Sequence, residues 1–257
     1  MLIQINDSKQ NYLMKKKILI LSNNCGGLVS FRREVFEALI KEGHTLLVIA
    51  PEDFKTDILK GIGCQFQPIT FNRQGTNPIA DIKLMLAYRR IIKREKPDVV
   101  LTYTIKPNLY GGMACRLTHT PQLTNITGLG IATEKAGFLR SLTKILYKIG
   151  LKKAKKVFFQ NKKNLDFCVS NKMVTGPVSL IPGSGVNLER FYVQSYSDAS
   201  ACRFIYIGRV QRRKGIEQYL EAAETLKKKY PHTEFHVLGR CEESNDQDVL
   251  DKFSSKV

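Results

Sequence analysis

Continuous apolar runs and amphipathic runs alternate along most of this chain. Residues 15–22 (KKKILILS) open with charge and become an unbroken apolar run, the pattern of a parallel strand covered on both faces. A glycine-containing turn is expected at NNCGGLVS, then a helix in FRREVFEALIKEG. Phe31, Val35, Phe36, Leu39 and Ile40 are expected on its inner face, and Gly43 is the expected stop. HTLLVIA, from His44 to Ala50, reads as a second strand. Strand, helix and strand within about 35 residues make a βαβ unit.

The alternation continues. A short helix fits 55–61, and CQFQPIT fits a weaker strand. IADIKLMLAYRRIIKREK is a long amphipathic helix stopped by Pro97, and DVVLTYT a buried strand. NLYGGMACRLTH reads as helix, QLTNITG as strand, LRSLTKILYKIGLKKA as helix and KVFFQN as strand. NLDFCVSNKM and VSLIPG then supply a helix and a strand. Repeated units of this kind predict a doubly wound parallel sheet with helices on both faces. The polar stretch YVQSYSDASA, residues 192–201, has no periodicity and reads as a linker. After it CRFIYIG gives a buried strand, GIEQYLEAAETLKKKY a helix and TEFHVLG a strand. Two strands and one helix are too little for an independent core, so an incomplete second domain is expected.

Charge changes this picture. With 41 Lys and Arg against 23 acids, the formal net charge is +18, which calls for an anionic partner. Four cations, Arg209, Arg212, Arg213 and Lys214, sit where a strand hands over to a helix, in IGRVQRRKGIEQYL. A helix start already carries unpaired N–H groups and partial positive charge, so cations added there suit a bound anion. LTKILYKIGLKKAKK, residues 142–156, has six lysines and no acid. Its stripe of Leu142, Ile145, Leu146 and Ile149 is expected on the core, leaving lysines for acidic headgroups. No RNA-binding consensus, zinc knuckle or helix-turn-helix pattern favours nucleic acid.

Other chemistries lack their signatures. The six cysteines form no CxxC pair, and the four histidines form no HExxH, so neither a disulfide framework nor a metal site is expected, and a reducing, cytosolic compartment is. No apolar run reaches the ~18 residues that span a bilayer, and residues 1–14 lack the pattern of a signal peptide. A Walker loop and a GxSxG elbow are absent. SNNCGGLVSFRRE occupies the first strand-to-helix turn, a place that receives phosphate in such folds, but it lacks the GxGxxG fingerprint. Glu52 and Asp53 follow the second strand, where an acid binds ribose in nicotinamide enzymes. Asp246-Gln247-Asp248 could hold a cation with a sugar diphosphate, although a helix start explains it more simply.

Three segments together resemble the family-4 retaining glycosyltransferases of the GT-B fold. IGRVQRRKGIEQYLEAAETL is similar to the segment that opens their C-terminal domain. GGLVSFRREVFEALIKEGHTLLVIA is similar to their first loop, helix and second strand, and IPGSGVNLERF to the stretch before their interdomain linker. YTIKPNLYGG, NITGLG and FFQN resemble the branch that acts on bacterial surface polysaccharides and lipid-linked oligosaccharides. The resemblance implies an α/β fold of GT-B type. An extension at 1–14 would precede a complete Rossmann-like acceptor domain at 15–192, a linker at 193–201 and a partial nucleotide-sugar domain at 202–257.

The resemblance also implies an activity: metal-independent transfer, with retention, of a hexose or N-acetylhexosamine from a nucleoside diphosphate sugar, UDP-linked, to a polyprenyl-diphosphate-linked or saccharide acceptor. No cofactor and no metal are implied. The protein would be cytoplasmic, held peripherally on the inner face of the membrane through the helix near Lys144–Lys156. Arg209 and Lys214 match the family's diphosphate pair, and Gly26 and Gly27 its first loop. Thr127-Gly128 stands where many members carry His-Gly, and threonine has no imidazole. The family's Glu-x7-Glu segment has no match, because Glu217 and Glu224 differ in spacing and in helix, so no catalytic residue is assigned. Two alternatives remain: a non-catalytic protein that keeps the acceptor domain, and a nicotinamide-dependent oxidoreductase.

Overall fold

The computed structural model describes residues 14–73, 75, 77–130, 137–195 and 202–241. The extension, most of the linker and Asp246-Gln247-Asp248 therefore lie outside the described residues. The chain divides into two compact units, one ending at Asn187 and one starting at Leu188.

The first unit carries β1 (Lys17–Leu21), α1 (Cys25–Lys41), β2 (Thr45–Ala50), α2 (Thr56–Ile62), β3 (Gln65–Pro68), α3 (Pro78–Glu95) and β4 (Val99–Tyr103). A π-helical turn (Pro107–Gly111) leads into α4 (Gly112–Thr118), followed by β5 (Gln122–Ile126), α5 (Phe138–Leu151), β6 (Lys156–Phe159), α6 (Lys162–Ser170) and β7 (Val178–Leu180). The seven strands pair in parallel in the order β3-β2-β1-β4-β5-β6-β7. Alternate residues of β1 point to opposite faces, and both faces are buried. Ile18 and Ile20 meet Leu28, Val29 and Phe36 of α1, while Leu19 and Leu21 share a cluster with Leu84, Tyr88, Ile91 and Ile92 of α3. This two-sided cover is why the strand reads as an unbroken apolar run.

Two helix readings need correction. Gly26 and Gly27 do not form a loop; α1 starts at Cys25 and takes them into its first turn. The earlier start sets the phase of the helix. Its buried face runs through Cys25, Leu28, Val29, Arg32 and Phe36, while Phe31 and Val35 are 57% and 46% exposed. Arg32 stays inside because its guanidinium lies 5.3 Å from the centre of the Tyr103 ring and donates to the Phe31 carbonyl at 2.7 Å.

The stripe of α5 is only half inside, since Leu146 packs against the core and Ile149 is half-buried. The buried positions are Thr143, Tyr147, Gly150 and Leu151, whereas Leu142 and Ile145 are 38% and 54% exposed. Small residues decide this face. A Cβ on Gly150 would come within 2.8 Å of the Leu109 carbonyl oxygen, and one on Gly112 within 2.1 Å of the Gly150 carbonyl oxygen. Glycine is what lets α5 approach α4 and the π-helical turn so closely. Gly112→Ala is expected to destabilise the unit by about 1–3 kcal/mol or more, since the clash is with backbone. A urea midpoint equal to that of the unsubstituted protein would contradict the close contact.

The second unit has β8 (Arg203–Ile207), a 3₁₀ turn (Arg212–Lys214), α7 (Ile216–Lys229) and β9 (Glu234–Leu238), with β8 and β9 parallel. Its small core is Val210, Ile216 and Leu220, with Tyr206, Tyr219 and Val237 against it. β8 is not the buried strand its sequence suggests, because Ile205 and Ile207 are 56% and 72% exposed. In the described residues α7 is the one helix of this small sheet, so apolar side chains on the other face stay uncovered.

Candidate functional site

In the first unit the strand order reverses direction between β1 and β4, and in open parallel sheets ligands bind at the carboxyl ends of the strands at such a switch point. Three N–H groups of the α1 start already have partners there. The Asn24 side chain accepts from the Gly27 N–H, and Asp53 Oδ2 accepts from Cys25 N at 2.9 Å and Gly26 N at 3.0 Å. Asp53, which follows β2, thus acts as a remote cap of α1 and does not stand open as a ribose acceptor. Gly27 is needed for this cap, since a Cβ would lie 2.8 Å from Asn24 Oδ1. Cys25, at this helix start, is fully buried, and its thiol donates to the Pro51 carbonyl at 3.4 Å. Burial pushes its thiol up, and the charge of Asp53 adds to the effect. Asp53→Ala is expected to cost about 1–2 kcal/mol of stability through the uncapped helix, and an unchanged thermal midpoint would contradict the capping role.

The turn after β4 holds a polar cluster that the sequence did not reveal. Lys106 Nζ lies 2.6 Å from Asp81 Oδ1, and the Tyr110 hydroxyl donates to Asp81 Oδ2 at 2.7 Å. Asp81 and Lys106 side chains are each 12% exposed, so the pair is largely out of water. Burial, then the bond to Asp81, push the Tyr110 hydroxyl well up, so it remains a donor. Thr104 adopts a left-handed conformation with φ 72°, rare for a β-branched residue, and the π-helical turn follows within three residues. Asn108 of this turn is buried and donates to the Asn125 carbonyl at 3.1 Å, tying the turn to β5. Thr127 and Gly128 follow the end of β5 at the same edge of the sheet, Thr127 exposed and Gly128 half-buried. The first unit therefore gathers Gly26, Gly27, Thr127 and Gly128 along one edge of its sheet. The cluster of Asp81, Lys106 and Tyr110 belongs to the β4 turn of that edge.

Arg209 and Lys214 belong to the second unit, in the connection between β8 and α7. The Tyr206 hydroxyl donates to the Arg209 carbonyl at 2.8 Å, which pins the chain just after β8. The 3₁₀ turn closes with Lys214 N on the Gln211 carbonyl at 2.8 Å and Gly215 N on the Arg212 carbonyl at 3.0 Å. Gly215 then takes φ 82°, a conformation natural to glycine, and opens α7. The four cations are not equivalent. Arg212 pairs with Glu217 at 3.3 Å, and Arg213 donates to Gln211 at 3.1 Å. Lys214 is exposed and forms no ion pair among the described residues, and Arg209 is exposed.

Known proteins share this architecture. An α-1,3-N-acetylgalactosaminyltransferase of Campylobacter jejuni, which acts on N,N'-diacetylbacillosaminyl-diphospho-undecaprenol, is 25% identical over 230 residues, 83% of this chain and 61% of the relative. An α-1,3-galactosyltransferase of Escherichia coli, named for UDP-Gal and α-D-GlcNAc-diphosphoundecaprenol, is 24% identical over 65% of this chain and 47% of its own length. This chain thus spans about half to three-fifths of the curated relatives it matches. Among solved structures, a glycosyltransferase from Rickettsia africae matches with a TM-score of 0.67 at 20% identity, over 94% of this chain and 64% of that one. The fold is thereby of GT-B type, with a full first Rossmann-like unit and a partial second one. The model of the glycosyl transferase 4-like family matches residues 17–161, more than half of the chain, and the chain belongs to that family.

Proposed function

We propose that the protein acts in bacterial surface glycan synthesis. It would transfer a hexose or N-acetylhexosamine, with retention, from a UDP-sugar to a polyprenyl-diphosphate-linked acceptor. The observation that carries this reading is the β8–α7 turn. Arg209, Arg212, Arg213 and Lys214 all expose their side chains within this one turn, with Arg209 and Lys214 at its two ends. Cations held there would take the negative charge that builds on the departing diphosphate, the task a metal ion performs in other transferases. The switch-point edge of the first unit would take the acceptor, with Gly26, Gly27, Thr127 and Gly128 along it. The names of the relatives support both the undecaprenyl acceptor and the UDP donor. A titration of the protein with UDP tests the donor half. Weak binding that weakens further with salt and disappears in Arg209→Ala/Lys214→Ala is expected. Binding of NAD in place of UDP would favour the oxidoreductase, and UDP binding unaffected by the double substitution would reject the assigned site.

The same reading places the protein at the inner membrane surface. Phe138, Leu139, Leu142 and Ile145 are exposed on α5, with Lys148 and Lys152 beside them. An apolar stripe edged by lysines suits insertion between anionic headgroups better than contact by the lysines alone. No helix among the described residues is long and apolar enough to cross a membrane. Replacing Leu142 and Ile145 by serine is expected to weaken binding to phosphatidylglycerol vesicles by about tenfold or more, from the lost apolar burial. Unchanged sedimentation with vesicles would rule out this face.

A further inference from the structure

At the other end of β5, away from Thr127, a cavity of about 370 Å³ opens between the end of α4 and the segment that joins α5 to β6. The size falls within the ~300–1,000 Å³ range of small-molecule sites. Arg116 and His119 line it from α4 and its cap, Lys153 and Lys155 from the joining segment, and no carboxylate lines it. We propose that this cavity binds a phosphate-bearing anion. The proposal is independent of the transfer reaction and concerns the opposite edge of the sheet.

A simpler role for such cations is to neutralise the carbonyl ends of helices. Here four of those carbonyls have other donors, and only the Ile149 carbonyl draws on one of the cations. The Cys115 carbonyl accepts from Thr120 N at 3.0 Å and from Thr118 Oγ1 at 3.2 Å, the Arg116 carbonyl from His119 N at 3.4 Å, and the Leu151 carbonyl from Ala154 N at 3.1 Å. The Lys152 carbonyl accepts from Thr175 Oγ1 at 3.1 Å. Arg116 gives one long bond of 3.4 Å to the Ile149 carbonyl, which leaves most of its guanidinium fork uncommitted. Among the described residues Arg116, His119, Lys153 and Lys155 form no ion pair, and both lysines are exposed. An arginine fork with two ammonium groups and a ring N–H matches the several oxygens and the double charge of a phosphate group better than a single carboxylate. The Lys155 N–H is bonded to the Gln122 carbonyl at 2.8 Å, which fixes the joining segment against the start of β5 and holds the cavity open in shape.

The phosphate could belong to a soluble metabolite or to the headgroup of an anionic lipid, since the lysines follow directly on α5. Residue-resolved acylation of lysines, read by mass spectrometry, separates the two. In saturating inorganic phosphate at matched ionic strength, Lys153 and Lys155 are expected to react about tenfold more slowly, with Lys162 and Lys163 unchanged. If phosphate has no effect but phosphatidylglycerol vesicles slow both lysines and phosphatidylcholine vesicles do not, the site takes a lipid phosphate. Arg116→Gln, or His119→Gln should the first variant fold poorly, is expected to abolish the protection at Lys153 and Lys155, while any slowing that vesicles cause at Lys148, which lies on α5 outside the cavity, stays the same. Equal slowing of all lysines, protection that survives both substitutions, or none with either probe would overturn the proposal.

Discussion

Substitution of either Arg209 or Lys214 by alanine is expected to lower sugar transfer by about two to three orders of magnitude, the usual effect of removing one group that stabilises transition-state charge. The measurement needs an enzyme with a complete donor domain, because this chain covers 61% of the length of the Campylobacter relative. Joining the remaining part of that relative to the second unit supplies one. The loss should fall mainly on kcat, since the negative charge on the diphosphate grows as the glycosidic bond breaks. Arg213→Ala serves as the internal comparison. It lies outside the pair, Arg209 and Lys214, that the resemblance assigns to the diphosphate, so its loss should cost far less. An equal loss at Arg213 would mean that the turn acts only through its total charge.

The second large effect is expected at Asp81. Asp81→Ala leaves the buried Lys106 ammonium without its partner and removes the acceptor of the Tyr110 hydroxyl. Breaking one side of a buried pair costs about 3–5 kcal/mol, mainly because a charge stays out of water unpaired. Replacing both partners, as in Asp81→Leu/Lys106→Met, is expected to recover much of that stability, because no charge is then left buried. Chemical denaturation of the two variants and the parent measures this directly. A double variant as unstable as Asp81→Ala would show that the cluster supports the fold in some way other than pairing.

The elements were legible in the sequence wherever one face or both faces of a segment had to be apolar. β1, β2 and β4 announce themselves as unbroken runs because helices cover both sides of the sheet. The start of α1 was not legible. Its two glycines look like a loop, and what holds them in a helix is the Asp53 carboxylate, 28 residues from Cys25. Half of the α5 stripe was misread for a related reason, Leu146 being on the core as expected. Tight packing selects Gly150 and Thr143 for the inner side, while Leu142 and Ile145, the more hydrophobic residues, remain outside. Periodicity ranks hydrophobicity and cannot see a backbone contact. In the second unit, the turn between β8 and α7 and the opening of α7 at Gly215 were legible because their signal is local, a turn of a few residues. The cluster of Asp81, Lys106 and Tyr110 was not, because its partners meet across 25 and 29 positions of the chain.

The central claim is that the protein is a sugar transferase working on a lipid-linked diphosphate acceptor. Its most direct test is the mass of that acceptor after reaction. The chain joined to the remaining part of the Campylobacter relative would be incubated with an undecaprenyl-diphosphate-linked saccharide and, in turn, UDP-hexoses and UDP-N-acetylhexosamines. One of these donors is expected to add the mass of a single sugar residue. The yield should be the same with a chelator of divalent cations and should fall sharply in Arg209→Ala/Lys214→Ala. A folded, vesicle-binding chimera that leaves the acceptor mass unchanged with every such donor, or that transfers equally well without Arg209 and Lys214, would contradict the assignment.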